Sequence, residues 1–349
     1  MSASTRARAV ALALPVAAVG AGIAVLALAL LAAGFDPVLS LGALWRGAFG
    51  SSDAILSALL PRAIPLITIG LGIGLAFRAG ALNIGAEGQF YAGAVAATWI
   101  GLLLGAWPRF LALPVVLAAA LAAGLLWSAI PILLRLRFGV LEVISTLLLN
   151  FVADALVSWM VQGPLQESRH VYPQSDQLPL SVRLPQLPGT RLHLGLLLAL
   201  LLAVLLWAFF RYSLPGFRFR ATGANPMAAR IMGGVDTRKV FGIALGCSGA
   251  LAGLAGGFEV SGTSYALFQN LSPGYGFTAI AVALLARLDP LATVLSGVLF
   301  AALEAGSSAM QREAGVPAVV VWVAEAVIIL AILVSDVWRR RRLHAVEVA

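Results

Sequence analysis

Apolar runs separated by short polar breaks dominate this chain. Ten of them are long enough to be helical spans: 10–33, 54–77, 86–105, 110–134, 140–161, 192–210, 240–258, 272–286, 290–308 and 317–335. A helix needs about 20 apolar residues to cross ~30 Å of hydrocarbon. The eighth run is short, so its helix is expected to start earlier. Nearly every run is apolar all round, the pattern of a helix surrounded by lipid or by other apolar helices. Two polar stretches are long. The first, 162–191, carries Pro164, Pro173, Pro179, Pro185 and Pro188 with mixed charges, and the second, 211–239, is strongly basic. Neither has room for a soluble catalytic domain.

One break differs from the rest. Leu82-Asn83-Ile84-Gly85-Ala86-Glu87-Gly88-Gln89 puts two amides, a carboxylate and two glycines between two spans. Polar groups inside a membrane are costly and usually line a route or a site. Asn83 and Glu87 are one helical turn apart and share a face at the start of the third helix. Helix capping by Asn83, with Glu87 favoured by the positive dipole end, accounts for part of this. It leaves Gly85, Gly88 and Gln89 unexplained, and those glycines permit close approach of a helix or a solute. A gate or solute path is the functional reading.

Composition excludes a soluble protein. The chain is 61% hydrophobic and 11% charged, with a mean hydropathy of +0.97, against roughly a quarter charged residues in soluble domains. The formal charge of +8 does not signal nucleic-acid binding, because the basic residues sit in tails and short loops. Cys247 lies in an apolar stretch, and His170, His193 and His344 are scattered, so no metal-ligand spacing exists. The run from Val10 to Ala33 is longer than the ~7–15 residues of a signal-peptide core. It reads as a retained first helix.

Orientation follows from Lys and Arg near helix ends. With the N-terminus inside, the cytoplasmic side collects Arg6, Arg8, Arg78, Arg135, Arg137, Arg211, Arg218, Arg220, Arg230, Arg238, Lys239, Arg287 and Arg339 to Arg342, which is 16 of the 23 basic residues. The reading is an all-α polytopic membrane protein, a single domain over 1–349, with about ten transmembrane helices and both termini cytoplasmic. A shift of 182 residues brings helices 2–5 onto helices 7–10, with Pro108 falling on Pro290. The halves, about 54–161 and 240–335, are separated by an odd number of helices. They therefore form an inverted repeat, the pattern of alternating-access transporters. The shift pairs Leu82–Gln89 with 264–271, which holds Tyr265, Phe268, Gln269 and Asn270. The first hinge then lies toward the cytoplasm and the second toward the outside.

Helix five carries Glu142, Ser145, Thr146, Asn150, Asp154 and Ser158 at steps of three and four. Such a stripe either lines a hydrated path or bonds neighbouring helices. Glu142 and Asp154 are expected near the helix ends, within reach of interfacial water. Glu304 and Glu325 are deeper and are further candidates for a solute or proton site. In the inner loop, Gly223-Ala224-Asn225-Pro226-Met227-Ala228-Ala229-Arg230-Ile231-Met232-Gly233-Gly234 predicts a short helix that opens on Asn-Pro and ends on Gly-Gly. It is either a docking element or a plain connector.

Together, the Leu82–Gln89 and Gly223–Gly234 segments resemble the permease subunits of bacterial ABC importers of the branched-chain amino acid and ribose class. The nucleoside type is the more similar. The run Ser272-Pro273-Gly274-Tyr275-Gly276-Phe277-Thr278-Ala279 and the later Met310-Gln311-Arg312 with Gly315-Val316-Pro317 carry the resemblance further, over roughly 54–335. The resemblance implies a multi-pass permease of the bacterial inner membrane. It implies an ABC ATPase subunit that uses ATP and Mg, a second homologous permease in a heterodimer, and an external lipoprotein that delivers nucleosides. It makes the Asn-Pro loop a coupling helix, with Gly223, Asn225, Pro226, Ala228, Ala229, Arg230 and Gly233 facing the ATPase. Glu325 departs from the amide expected there.

The chain itself has one lysine, Lys239, and no G-x-x-x-x-G-K-[ST] loop to cradle phosphates. It is therefore expected to be non-catalytic, with no cofactor and no metal of its own. A nucleoside is uncharged, with a flat base and a hydroxylated sugar, so aromatic faces and amides suit its path. Asn83, Gly85, Glu87, Gly88, Gln89, Asn150, Tyr265, Phe268, Gln269 and Asn270 are the candidate path and gate residues. The alternatives are a permease for a sugar or amino acid, or a stand-alone proton-coupled transporter.

Overall fold

The computed structural model describes residues 24–317, together with 319, 323 and 326. Most of the first expected span, the tenth span, Glu325 and both terminal basic clusters lie outside the described residues. Beyond a helical segment at 24–32, the helices are α1 (Pro37–Phe49), α2 (Leu60–Arg78), α3 (Ala86–Leu103), α4 (Arg109–Phe138), α5 (Glu142–Gln162), α6 (Gly195–Tyr212), α7 (Leu214–Ala224), α8 (Pro226–Gly233), α9 (Thr237–Glu259), α10 (Tyr275–Leu285) and α11 (Pro290–Ala314). π-Helical turns extend α2 backward over Ala54–Leu59 and α9 forward over Val260–Ser264. Among the described residues there is no strand, only isolated bridges pairing Gln174 with Phe268 and Gln186 with His193.

Six of these helices are long and apolar enough to cross a membrane: α2 and α9 with their π turns, α4, α5, α6 and α11. The chain is thus an all-helical polytopic membrane protein. The eight expected spans from 54 to 308 each meet a helix.

Two elements differ from expectation. Helix α1 falls where no span was expected. Its signal is local: Asp36 Oδ1 accepts from the backbone N–H of Val38 at 2.8 Å, and Pro37 fits the first turn. Helix α10 begins at Tyr275, later than its apolar run and not earlier. Pro273 denies the backbone a donor, and Gly274 holds φ at +102°, a conformation that few residues other than glycine adopt.

The chain divides into two compact units, Leu59–Ala301 and a second made of 1–58 with 302–349. In the smaller unit, α1 packs on the end of α11. A Cβ at Gly306 would lie 2.5 Å from the Leu44 carbonyl, so the backbones touch there, and Arg46 pairs with Glu313 at 2.7 Å. Leu26, Leu30, Ala43, Met310 and Val316 form its apolar cluster.

In the larger unit, α2, α3, α4 and α9 form the interior. The most apolar stretch of α9 is 67% buried and that of α6 only 22%, so α9 is central and α6 peripheral. Close packing rests on small residues. A Cβ on Gly253 of α9 would lie 2.8 Å from Gly124 Cα of α4, and Gly72 of α2 meets the Ser248 carbonyl at 2.9 Å in the same way. Without a hydrophobic driving force between helices in lipid, such backbone-to-backbone approach is what holds a bundle together.

Candidate functional site

The Leu82–Gln89 segment folds into a buried polar knot. After Arg78 the chain turns back through Gly80, whose φ is +78°, and runs without helix until Ala86. Asn83 Nδ2 donates to Gln89 Oε1 at 2.7 Å and to Ser248 Oγ at 2.8 Å. Asn83 Oδ1 accepts from Gly85 N–H at 3.0 Å and from Gln89 Nε2 at 3.2 Å. Asn83 is not the N-cap of α3, which is Gly85; it braces the turn before the helix. On the other side, Asn150 of α5 clamps the same segment. Its Oδ1 accepts from Gly88 N–H at 2.8 Å, and its Nδ2 donates to the Ile84 carbonyl at 2.9 Å.

The glycines let α5 come this close. A Cβ on Gly85 would sit 2.8 Å from Thr146 Cβ, and one on Gly88 would sit 3.0 Å from the Leu149 carbonyl. Asn83, Glu87, Gln89 and Asn150 are all buried. The knot is deeper than expected. Ser248 lies eleven residues beyond Thr237, about 16 Å along α9, and Asn150 about 12 Å along α5. The first hinge therefore reaches toward mid-span.

Glu87 joins the knot to α10. One carboxylate oxygen accepts from Gly276 N–H at 2.6 Å, and the Ser272 hydroxyl also hydrogen-bonds the carboxylate. Ser272 Oγ in turn accepts from Tyr275 N–H at 2.9 Å and from Gly274 N–H at 3.1 Å. A carboxylate and a hydroxyl thus satisfy the free N–H groups at the positive end of α10. Gly276 is required for this contact, since a Cβ would lie 2.6 Å from Glu87 Cα. With 11 residues, α10 is about 16 Å long, half the ~30 Å of hydrocarbon. It is a half-length helix whose N-terminus meets the knot.

The second expected hinge is held by the long loop at 162–191. The Val260–Ser264 turn ends at Tyr265, with φ +57°, and Asn270 has φ +58°. Between them the chain runs beside the loop: Ser175 N–H donates to the Leu267 carbonyl, Leu178 N–H to Tyr265 and Leu184 N–H to Ser261, each at 2.8 Å. The Arg183 guanidinium lies 4.5 Å over the Tyr265 ring. Phe268 bridges to Gln174, and Gln269 Nε2 donates to Ser158 Oγ at 2.7 Å. Beneath the loop, buried His193 accepts from Gly195 N–H at Nδ1, 3.2 Å away, and its Nε2 faces Thr263 Oγ1 at 3.4 Å. Burial pulls its pKa down to about 4. In the same loop, hydrogen bonds from Ser168 hold the Asp176 carboxyl below its ordinary value.

Helix α8 forms as its sequence requires. Asn225 Oδ1 accepts from Ala228 N–H at 3.0 Å, Pro226 opens the first turn, and Gly234 ends the helix at φ +58°. Its candidate residues divide by face. Ala229 is buried among Ala76, Phe219, Val240 and their neighbours, and Gly223 packs against the Arg78 carbonyl. Asn225, Pro226, Ala228 and Gly233 shape or flank the helix. Arg230 is exposed, as are Met227, Ile231 and Met232, the last at 89%.

Sequence reasoning placed Ser158, the partner of Gln269, in the polar stripe of α5, but missed Ser248 and Ser272 as the hydroxyl partners of Asn83 and Glu87. Serine in an apolar run is common and carries no signal until its partner is known. It also missed the bare methionines of α8. In the α5 stripe, Ser145 and Thr146 bond back to Glu142 O at 3.2 and 2.7 Å, while Asn150 bonds the Ile84–Gly88 segment and Ser158 accepts from Gln269. Glu304 is half-buried on α11.

An interrupted span, a carboxylate on a half-helix terminus and a buried amide clamp belong to polytopic membrane proteins that move solutes. A family model described as "Branched-chain amino acid transport system / permease component" matches residues 55–335, and the chain belongs to that family. It is 37% identical over 311 residues to the guanosine ABC transporter permease protein NupP of Bacillus subtilis, covering 88% of each chain. It is 36% identical over 324 residues to the glucose ABC transporter permease protein TsgB13 of Haloferax volcanii, covering 90% of this chain and 84% of that one. To the nucleoside ABC transporter permease protein NupB of Lactococcus lactis it is 30% identical over 318 residues, covering 88% and 86%. No solved structure matches the chain significantly.

Proposed function

We propose that this chain is the membrane-spanning subunit of an ATP-driven nucleoside importer in the bacterial inner membrane. ATP and Mg are used by a separate ABC ATPase that binds α8. A second homologous permease completes a heterodimer, and an external lipoprotein delivers the solute to the loop at 162–191. The chain crosses the membrane ten times with both termini inside, as an inverted repeat of helices 2–5 and 7–10.

The observation that carries this reading is the contact of Glu87 with the N-terminus of α10. It ties a hinge in the first half to a half-helix in the second. Moving α10 would break the bonds to Gly276 and Ser272 and open the knot. Asn83, Gly85, Glu87, Gly88, Gln89 and Asn150 then form the inner gate. Tyr265, Phe268, Gln269 and Asn270, pinned under the outer loop, form the outer one. Motion of α8 would reach the gate through Ala229, which packs on the ends of α2 and α9. The nucleoside assignment draws on the two relatives named for guanosine and nucleosides.

A glucose permease is as similar in identity and coverage, which favours a sugar as the second reading. The two are separated by uptake in cells that express the whole transporter. Labelled guanosine should accumulate and be displaced by other nucleosides but not by glucose. Accumulation of glucose without guanosine would reverse the assignment.

A further inference from the structure

Asp154 stands near the middle of α5, twelve residues after Glu142 and eight before Gln162, and not at a helix end as its sequence position suggested. It is exposed. Among the described residues it has no hydrogen-bond or ion-pair partner. Asn150, Asp154 and Ser158 follow at intervals of four and form one row along the helix. Asn150 is bound to Gly88 and Ile84, and Ser158 accepts from Gln269. The carboxylate between them is unclaimed. Asn150, one turn earlier in the row, is bound to Gly88 and Ile84 of the knot, which places Asp154 one helical turn from it. Phe151, one turn earlier, is 66% exposed and lies on the same side of the helix.

A bare carboxylate turned to hydrocarbon at this depth is costly, so such groups face protein or a water-filled cavity. The row Asn150–Asp154–Ser158 also runs from the inner hinge to the residue that holds the outer one. A carboxylate there has two acceptor oxygens and no donor. It suits a neutral solute with adjacent hydroxyl groups, each donating one charge-assisted hydrogen bond. An aromatic ring beside it suits a flat base.

We infer that Asp154 lines the hydrated solute route and reads the ribose diol, with Phe151 alongside the base. This rests on the nucleoside-importer reading and adds a specificity residue to it. A solute that lacks the diol leaves the carboxylate without its hydrogen bonds inside the route, and that loss is the basis of discrimination.

The test uses the whole transporter, with membrane level and ATPase association checked for each variant. Wild type should prefer guanosine to 2′,3′-dideoxyguanosine. Asp154→Asn should lower guanosine uptake at least about tenfold and remove the preference, while Asp154→Glu keeps part of it. An unchanged preference in Asp154→Asn overturns the inference. A wild type that carries no nucleoside defeats the parent reading instead.

A second arm does not depend on the solute. With the single cysteine removed as Cys247→Ser, Asp154→Cys should react with a charged, membrane-impermeant thiol reagent, and excess guanosine should slow the reaction. Reaction only with a lipid-soluble maleimide would place the position in lipid and overturn the inference.

Discussion

The polar residues of the knot have different partners, so each makes a different prediction. Asn83 is fully buried and serves Gly85, Gln89 and Ser248 at once. Asn83→Ala would leave buried partners unsatisfied, at a cost of about 1–3 kcal/mol. Its thermal midpoint in detergent should therefore fall, and a midpoint equal to wild type would show that the knot contributes nothing to stability. Glu87→Gln keeps an oxygen for Gly276 N–H but replaces the acid group that faces the α10 terminus. Uptake should drop while subunit assembly stays intact, and unchanged uptake would reduce Glu87 to a structural brace. At this scale the sequence marked the polar residues that gather in the knot. Asn83, Glu87 and Gln89 stood out because amides and carboxylates are expensive between two spans. Their partners did not, because Ser248 is separated from Asn83 by 165 positions and nothing local marks it.

Among the elements, α8 and α10 carry the proposed motions, and the loop at 162–191 pins the second hinge. The exposed face of α8 presents Met227, Arg230, Ile231 and Met232, whereas Ala229 anchors it to the chain's own core. Ile231→Glu with Met232→Glu should abolish ATPase association in a pull-down and leave membrane insertion normal. Retained association would remove α8 from the interface. Ala229→Glu should instead destabilise the chain itself, because it buries a charge.

The loop at 162–191 closes over neutral His193, whose pKa of about 4 lies below the ordinary value of 6.5. A depressed histidine favours the fold above the ordinary value, and that contribution fades as pH falls from about 6.5 toward 4. The thermal midpoint should drop between pH 7 and pH 5, and His193→Gln should flatten the drop. An equally steep drop in the variant would place the sensitivity elsewhere. The element boundaries were legible wherever a cap or a glycine marks them, as with Asn225-Pro226 and Gly234. The start of α10 was not. Apolar Leu271 and Phe277 flank the Pro273-Gly274 break, and an apolar run alone cannot show that its first three residues precede the helix or that a distant carboxylate meets the helix start.

For the whole molecule, apolar periodicity alone identified a helical membrane protein, and the motifs at 82–89 and 223–234 identified its family. What the periodicity could not show is depth. The hinge at 82–89 reads as a loop at the ends of two helices, yet Asn83 within it bonds Ser248, about 16 Å along α9 from that helix's first residue. In the proposed importer that buried hinge is moved by a separate ATPase. The measurement that bears on it most directly is guanosine uptake into liposomes. Vesicles holding this chain with its second permease and the ATPase, supplied with the binding lipoprotein, should accumulate guanosine only when ATP is hydrolysed. Vesicles holding this chain alone should accumulate none under a proton gradient. Uptake by the chain alone, driven by protons without the ATPase, would contradict the account.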